Sequence, residues 1–563
     1  MSKFAQAMNA STQTWNGAAS YVSPDPTNVA SGRVSLFFKG CRGLNTPRLY
    51  EYLNSGSKEN LLDTFILSFN LRDSRGGKGE RALGRQALLW LFIKFPAEFK
   101  QVMHLIPEYG RWDDLLQFFP NALKLDSSTV SANFSVHIGI HELKVLQDLQ
   151  QEIVKLFAKQ LKTDLANMRA NKPCSLCAKW APTEGNSQDR RFGLFKTLAM
   201  AMGISTRTLR TKYNTPLRAY LEIVEKHMCT GQWGSIDFNK VPSCTMKRLK
   251  KAFSKHEPKR FGEWQSALSK KDPKVAKVNA KALHPHELVR EIRTKLVSDP
   301  VAEAQWSVLV DEVRKLGTLS DTVVVVDTSG SMQQPNCLPL DVAVAMGLII
   351  SEVVKGPFHG QAISFDTVPQ FCVIPDGDLF TRWNTMRSLP WGGSTNLEGT
   401  FKLILDRAKE CKLSQEDMPK RLFIVSDQQF NQIDHNVNQT NIERINEMYR
   451  VSGYIRPQIV FWNVNGASTD FPITVGEYGT ALVSGFSPAI MKSLMKNTDY
   501  TPLSVLRDTI DDKRYNAVRN AFNGVELQEM SGIEEEKEKE KEKEENTVKE
   551  MSVIEQNEDF EVI

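Results

Sequence analysis

The residues with the most chemical potential sit where apolar runs stop. Asp327, Ser329 and Ser331 follow the four valines of DTVVVVDTSGSM, Thr395 lies in the glycine-rich stretch WGGSTN, and Asp427 closes RLFIVSD. These two carboxylates and three hydroxyls are all hard oxygen donors, with no thiolate or imidazole among them. Such a set suits a divalent cation, magnesium first and manganese as its substitute. If the hydroxyls ligate directly and the carboxylates act largely through water, the cation stays electrophilic. It then keeps a position that an outside carboxylate or phosphate can take. Gly330, Gly392 and Gly393 permit the tight turns that would bring the hydroxyls inward.

Residues so far apart in sequence meet only if regular elements carry them to one place. The valine run has no polar alternation, which predicts a strand buried on both faces of a parallel sheet. It is followed by the helical LDVAVAMGLIISEVV, then QAISFD, QFCVIP, the helical FKLILDRAKECK, the strand RLFIVSD, a helix near residues 440–450 and the strand QIVFWNVN. GTALVSGF and SPAIMKSLMK add a last strand and helix, with Ser487 suited to the N-cap and Pro488 to the first helical position. Strand and helix in alternation predict a doubly wound α/β (Rossmann-like) domain. In such sheets ligands bind beyond the carboxyl ends of the strands, where these polar residues fall.

The pattern D-x-S-x-S at Asp327, Ser329 and Ser331, a threonine in a glycine-rich loop at Thr395 and a strand-terminal aspartate at Asp427 resembles the metal-ion-dependent adhesion site of von Willebrand factor A domains. The resemblance runs from about residue 320 to 510. It implies that Ser329, Ser331 and Thr395 coordinate the ion and that Asp327 and Asp427 ligate it directly or through water. A phosphotransferase of the haloacid dehalogenase type also begins with an aspartate after a buried strand, but its acid–base aspartate is replaced here by Ser329, and no nucleotide phosphate loop is present. The expectation is therefore a binding site and not an enzyme. A metal-dependent hydrolase or nuclease remains as an alternative, with Asp366, Asp376 or Asp378 as the general base near the ion.

The rest of the chain has a different texture. From about residue 46 apolar residues recur at spacings of three and four in segments such as LLDTFILSFNLR and ALGRQALLWLFIKF, which predicts many short amphipathic helices, a helical-repeat-like region without a fixed sequence period. Residues 1–300 hold 46 Lys and Arg against 26 Asp and Glu, and the remainder holds 25 against 40. A net charge of +5 therefore conceals a basic half that would attract polyanions and an acidic half that would not. Two constellations stand out. One is RDSRGGKGERALGR with the neighbouring GRWDDLL, where Arg75, Lys78, Arg81 and Arg111 are candidate phosphate contacts. The other is VPSCTMKRLKKAFSKHEPKRF, where Lys247, Arg248, Lys250, Lys251, Lys255, Lys259 and Arg260 are the candidates. The bland alternative is a solvated helical face.

The order of RGGKGER, YGRWDDLL, KWAPTE, VPS with its basic run and HPHEL ahead of the α/β domain resembles a family catalogued only as a domain of unknown function. More loosely it is similar to the Ro ribonucleoprotein family. There a helical ring of the TROVE type binds small structured or misfolded RNAs, and a von Willebrand A domain closes the ring. The resemblance implies RNA as a partner, with an acidic protein ligand at the metal.

No apolar run is long enough to span a bilayer, and the start lacks a secretory signal, so an intracellular protein, cytoplasmic or nuclear, is expected. Of the eight cysteines only Cys174 and Cys177 lie close together; one CxxC is half a zinc site, and ordinary cysteines are expected. His284 and His286 around Pro285 read as a helix start. The expected organisation is a flexible arm over 1–45, a basic helical region over 46–315, a von Willebrand A-type domain over 316–525 and a charged tail over 526–563. A protein-interaction adaptor without nucleic acid is the competing function.

Overall fold

The structure is a computed structural model that describes residues 32–119, 140–186, 193–270, 274–280, 282–389, 395–428, 441–468, 477–496 and 500–523, with the short stretches 11–13, 19–21, 189–190, 391 and 471–473. The charged tail and Gly392 and Gly393 lie outside them.

The amino-terminal strands β1 (Ser11–Gln13) and β2 (Ala19–Tyr21) form an antiparallel pair. Helices then dominate to residue 314: α1 (Gly32–Lys39), α2 (Thr46–Glu59), α3 (Leu61–Arg72), α4 (Arg81–Lys94), α5 (Ile140–Arg169), α6 (Ser243–His256), α7 (Pro258–Ser269), α8 (Pro285–Lys295) and α9 (Pro300–Arg314), with shorter helical turns between. Beyond them β3 (Leu319–Ser320) pairs with β5 (Val354–Lys355). The main sheet holds β4 (Thr322–Asp327), β6 (Gln361–Phe365), β7 (Phe371–Val373), β8 (Arg421–Ser426), β9 (Gln458–Asn463) and β10 (Thr480–Ser484) in the order β10-β9-β8-β4-β6-β7. All neighbours are parallel except β7, which runs antiparallel to β6.

Numbered along the sheet, this is the order 3-2-1-4-5-6 of doubly wound sheets, and it reverses between β4 and β8. The valine run forms the central strand as its composition predicts. Val324, Val325 and Val326 are fully buried, each contributing about 1.5–3 kcal/mol of apolar burial. The helix after it, α10 (Leu338–Val353), lies against β4 so closely that a Cβ on Gly347 would sit 2.4 Å from Val326 Cγ2. Helices α11 (Leu379–Arg387), α12 (Leu397–Glu410), α13 (Asn441–Val451) and α14 (Pro502–Ile510) complete this region. Ser487 caps the turn at Pro488 as expected, although that turn is a 3-10 helix.

Two features differ from the sequence reading. The stretch expected to be a flexible arm contains α1, of whose eight residues seven are buried. Its Val34, Leu36, Phe37 and Phe38 form an apolar plug too short for periodicity to reveal. The helical region is also not a separate unit. One apolar core runs without a break from α1 through α5 into the sheet, and a smaller core is confined to residues 224–278 with Val301. Tyr109 stacks on Tyr515 at 5.6 Å, Phe65 meets Phe522 edge-on, and Asp73 pairs with Arg514. The sequence-separated halves are thus packed as one body.

The arginines of the first basic constellation are tied up within the helical region. Asp114, fully buried, pairs with Arg72 and Arg85, both at 2.6 Å, while Asp113 takes Arg81 and Arg85. Removing one partner of a buried pair strands the other charge, which costs about 3–5 kcal/mol, whereas exposed pairs are worth about 0–1 kcal/mol. Asp114→Ala is expected to lower unfolding stability by about 3–5 kcal/mol in urea titration, and Arg81→Ala, at the half-exposed end, by less than about 1 kcal/mol.

Candidate metal centre

The point where the strand order reverses is where the chemistry gathers. Asp327 ends β4 and Asp427 follows Ser426 at the end of the adjacent β8. Asp327 is fully buried and Asp427 is 2% exposed. Asp327 Oδ1 accepts the backbone N–H of Ser329 at 2.9 Å, and Oδ2 accepts the hydroxyl of Ser426 at 2.5 Å. The chain then turns outward, so that Ser329 is buried, Ser331 is exposed, and their hydroxyl oxygens lie 3.2 Å apart. The site therefore opens to solvent on the Ser331 side.

Thr395, also fully buried, comes from a third loop. Its neighbour Asn396 caps α12 and donates from Nδ2 to the carbonyl of Thr367, just beyond the end of β6. That contact fixes the Thr395 loop at the carboxyl edge that carries the two aspartates. Five residues from three loops thus reach one edge of one sheet, as the sequence pattern required.

The electrostatics are unfavourable without a counter-charge. Burial, and then the charge of Asp427, push Asp327 up to about 7, against the hydrogen bonds from Ser329 and Ser426 that pull it down. Beside the pair, Gln428 adopts a left-handed φ of 68°, donates its backbone N–H to Ser426 Oγ, and has a buried Oε1 that accepts no hydrogen bond among the described residues. A strained non-glycine residue with an orphaned acceptor next to two buried carboxylates fits a cationic occupant. The donor set suits magnesium or manganese, and Asp327, Ser329, Ser331, Thr395 and Asp427 are the residues that would hold it. Ser426 and Gln428 escaped the sequence reading because a serine and a glutamine at a strand end are compositionally ordinary.

Other candidates fall elsewhere. Asp376 and Asp378 follow β7, whose end Val373 pairs with Gln361 at the start of β6, so both lie at the opposite, amino edge of the sheet. Asp378 is occupied as the N-cap of α11. Neither can serve as a base at Asp327, which corrects that part of the hydrolase alternative; of the three, Asp366 stays at the carboxyl edge, just after β6. Cys177 is buried with its thiol toward the carbonyl of Phe157, and Cys174 points to that of Asp164. Among the described residues no three His, Cys, Asp or Glu side chains cluster as a metal site. His284 and His286 begin α8 around Pro285, and burial pushes both rings down, His284 to about 4.

The basic candidates divide. Lys78 is sealed, donating to the carbonyls of Phe37 and Gly40 and to Ser484 Oγ, with its ammonium lowered to about 8 by burial. It holds α1 to the end of β10 and faces no external phosphate. Lys250 is 8% exposed between Glu291 at 2.5 Å and Asp299 at 2.6 Å, and it likewise does not face solvent. Arg81 pairs with Asp113, Lys247 with Glu287, Arg75 donates to the carbonyl of Glu108, and Arg111 opens a short helix at Trp112. Arg260 lies over the ring of Phe238. Arg248, Lys251, Lys255 and Lys259 are exposed along α6 and α7.

Comparison with known proteins adds the lineage. The model of Domain of unknown function (DUF2828) matches residues 132–319, and that of Domain of unknown function (DUF7788) matches residues 321–557. "Uncharacterized protein L728" of Acanthamoeba polyphaga mimivirus is 31% identical over 472 residues, covering 80% of this chain and 79% of the viral one. The chain belongs to the family of this viral protein. Its two domain models meet at β3, where the helices give way to the sheet. No helix among the described residues is long and apolar enough to cross a membrane.

The pH dependence follows from Asp327. Its folded value, about 7, lies above the ordinary 3.8, so its contribution to stability is present below about pH 4 and is lost as pH rises toward 7. In a chelator, the thermal midpoint is expected to fall over that range by a few degrees more than in Asp327→Asn. Added magnesium should restore the wild type and leave the variant unmoved; a midpoint in wild type that ignores magnesium would contradict the assignment.

Proposed function

We propose that the protein is a non-catalytic, magnesium-dependent binding protein, in which an α/β domain of the von Willebrand A type presents a metal to an acidic ligand while a basic helical surface holds RNA or a ribonucleoprotein. The observation that carries this reading is the buried pair Asp327 and Asp427 at the reversal of strand order, with the hydroxyls of Ser329 and Ser331 leading from it to solvent. Two adjacent buried carboxylates suit a compensating cation, and an all-oxygen donor set suits a divalent one. The bound cation supplies a Lewis-acidic centre that attracts a carboxylate or phosphate oxygen. Ser329 and Ser331 would hold it on the side that leads to solvent, and Ser426 orients Asp327 by its hydrogen bond.

The antiparallel β7 at one end of an otherwise parallel sheet, and the position of the D-x-S-x-S loop after the central strand, support the von Willebrand A reading. The RNA half rests on a smaller surface than the charge count implied. Internal pairs consume much of the first constellation, and in the second the exposed cations are Arg248, Lys251, Lys255 and Lys259 on α6 and α7. Exposed lysines and arginines on consecutive helices can neutralise successive phosphates, which makes affinity salt-dependent.

Filter binding to single-stranded and structured RNA across a salt series tests this half. Wild type is expected to show a steep loss of affinity with salt. Reversal of Arg248, Lys251, Lys255 and Lys259 to glutamate should flatten the slope by about 0.7–0.9 per lost contact. Lys78→Met, removing a cation that faces no solvent, should leave the slope unchanged in whatever fraction folds. Equal affinity of the reversed variant and wild type would remove RNA from the proposal, as would survival of all co-purifying partners after nuclease treatment.

A further inference from the structure

The main sheet ends in an edge that no described strand continues. Strand β7 (Phe371–Val373) is last in the strand order and pairs with β6 alone among the described residues. Ala362 stands opposite Cys372, and the pairs on either side are bonded from the Ser364 N–H to the Gln370 carbonyl and from the Ile374 N–H to the Gly360 carbonyl. An antiparallel ladder bonds every second pair, so Cys372 turns its N–H and C=O toward β6 while Phe371 and Val373 turn theirs away from the sheet. Among the described residues no backbone group pairs with these outward atoms.

The same two residues expose apolar side chains, Phe371 by 52% and Val373 by 63%, and Val368 at the hairpin tip is 69% exposed. Natural edges are blunted by lysines or by a covering element. Here the nine residues TVPQFCVIP between Asp366 and Asp376 carry no charge, and Pro369 and Pro375 near the two ends limit how far pairing can run. Size and charge select the occupant. A stable symmetric dimer buries about 1,600 Å² in total, more than two edges of three residues supply, whereas one extended segment gains its main-chain hydrogen bonds on a short edge. Asp376, just past the strand, has a side chain 95% exposed, with His359 Nε2 3.8 Å away. A carboxylate in that place favours a basic residue at one end of the incoming segment.

We propose that β7 is a docking edge for an extended segment of a partner protein, one with β-branched or aromatic side chains at alternate positions and a lysine or arginine at its end. The outward N–H and C=O groups of Phe371 and Val373 bond the segment's main chain, their side chains give its apolar residues a footing, and Asp376 takes the terminal cation. Strand addition of this kind is tolerant of sequence, because the main chain supplies the affinity and the alternate side chains and the end charge supply the choice. Strand β6 lies between this edge and β4, so docking here requires neither the ion nor RNA.

The full-length protein is mixed with the peptide KTVTVTK at about 1 mM, enough to fill a site of submillimolar Kd, and amide hydrogen exchange is read residue by residue. Exchange at Phe371 and Val373 should slow by at least about tenfold, and Cys372, already bonded to β6, should not change. The result should be the same in a chelator and in magnesium. The same peptide N-methylated at its three central residues cannot pair and should protect neither amide. ETVTVTE should protect less well than KTVTVTK, and Asp376→Lys, a change at an exposed side chain, should reverse that order. Unchanged exchange at Phe371 and Val373, equal protection by the N-methylated peptide, or an order that survives Asp376→Lys would overturn the proposal. Protection that rises with protein concentration in the absence of peptide would assign the edge to a second copy, and exchange there that quickens on removal of residues 531–563 would assign it to this chain's own end; either result overturns a foreign partner.

Discussion

Two carboxylates buried side by side at the ends of adjacent strands impose the strongest constraint in this molecule. Asp327 and Asp427 are buried beside one another and repel, and burial keeps Asp327 close to protonation at neutral pH. The fold does not relieve this by moving the chain. Asp327 is locked at both oxygens by Ser329 and Ser426, and β4 is anchored by three fully buried valines and by the close approach of α10 at Gly347. The rigidity of the apolar sheet is what holds the charges together.

Much of this was legible because a parallel sheet buried on both faces writes itself as apolar runs with polar residues at their ends. RLFIVSD, QIVFWNVN and the valine run became β8, β9 and β4, with Asp327 and Asp427 at their ends. The site was readable for the same reason, since a chain alternating strand and helix brings all such ends to one edge. Charge was less legible. Lys78 and Lys250 look like any other basic residues in sequence, but one is capped by carbonyls and the other by two carboxylates. Nothing local distinguishes them, because their partners Ser484, Glu291 and Asp299 lie about 40 to 400 positions away. Helix α1 was hidden by its length, and Asp376 and Asp378 by the reversal of β7, which carries the chain to the other edge.

The continuity of the core changes the meaning of the two-part sequence. Lys78 and α1 close over the end of β10, Asn463 at the end of β9 donates to the carbonyl of Phe38 at 3.3 Å, and the backbone N–H of Gly466 donates to that of Arg42 at 2.8 Å. The helices therefore cap the carboxyl ends of β9 and β10. Across the sheet, Asp341 of α10 is 1% exposed and takes Arg290 and Arg293 of α8, both at 2.7 Å. The helix that follows the D-x-S-x-S loop is thus tied to the helical region by two ion pairs on one buried carboxylate.

These contacts decide where a ligand can approach. An open α/β sheet offers its whole carboxyl edge, but here the ends of β9 and β10 are occupied by α1 and its loop, and Ser484 and Asn463 are fully buried beneath them. Among the described residues, the segment after β4 stays open, with Ser331 exposed beside the buried Ser329 and Asp327. On the side of β9 and β10 the described surroundings of the charged pair are covered by the amino-terminal helices. Because α1 makes this cover with residues from the first tenth of the chain, the helical region acts as part of the site's architecture and not as a tethered neighbour.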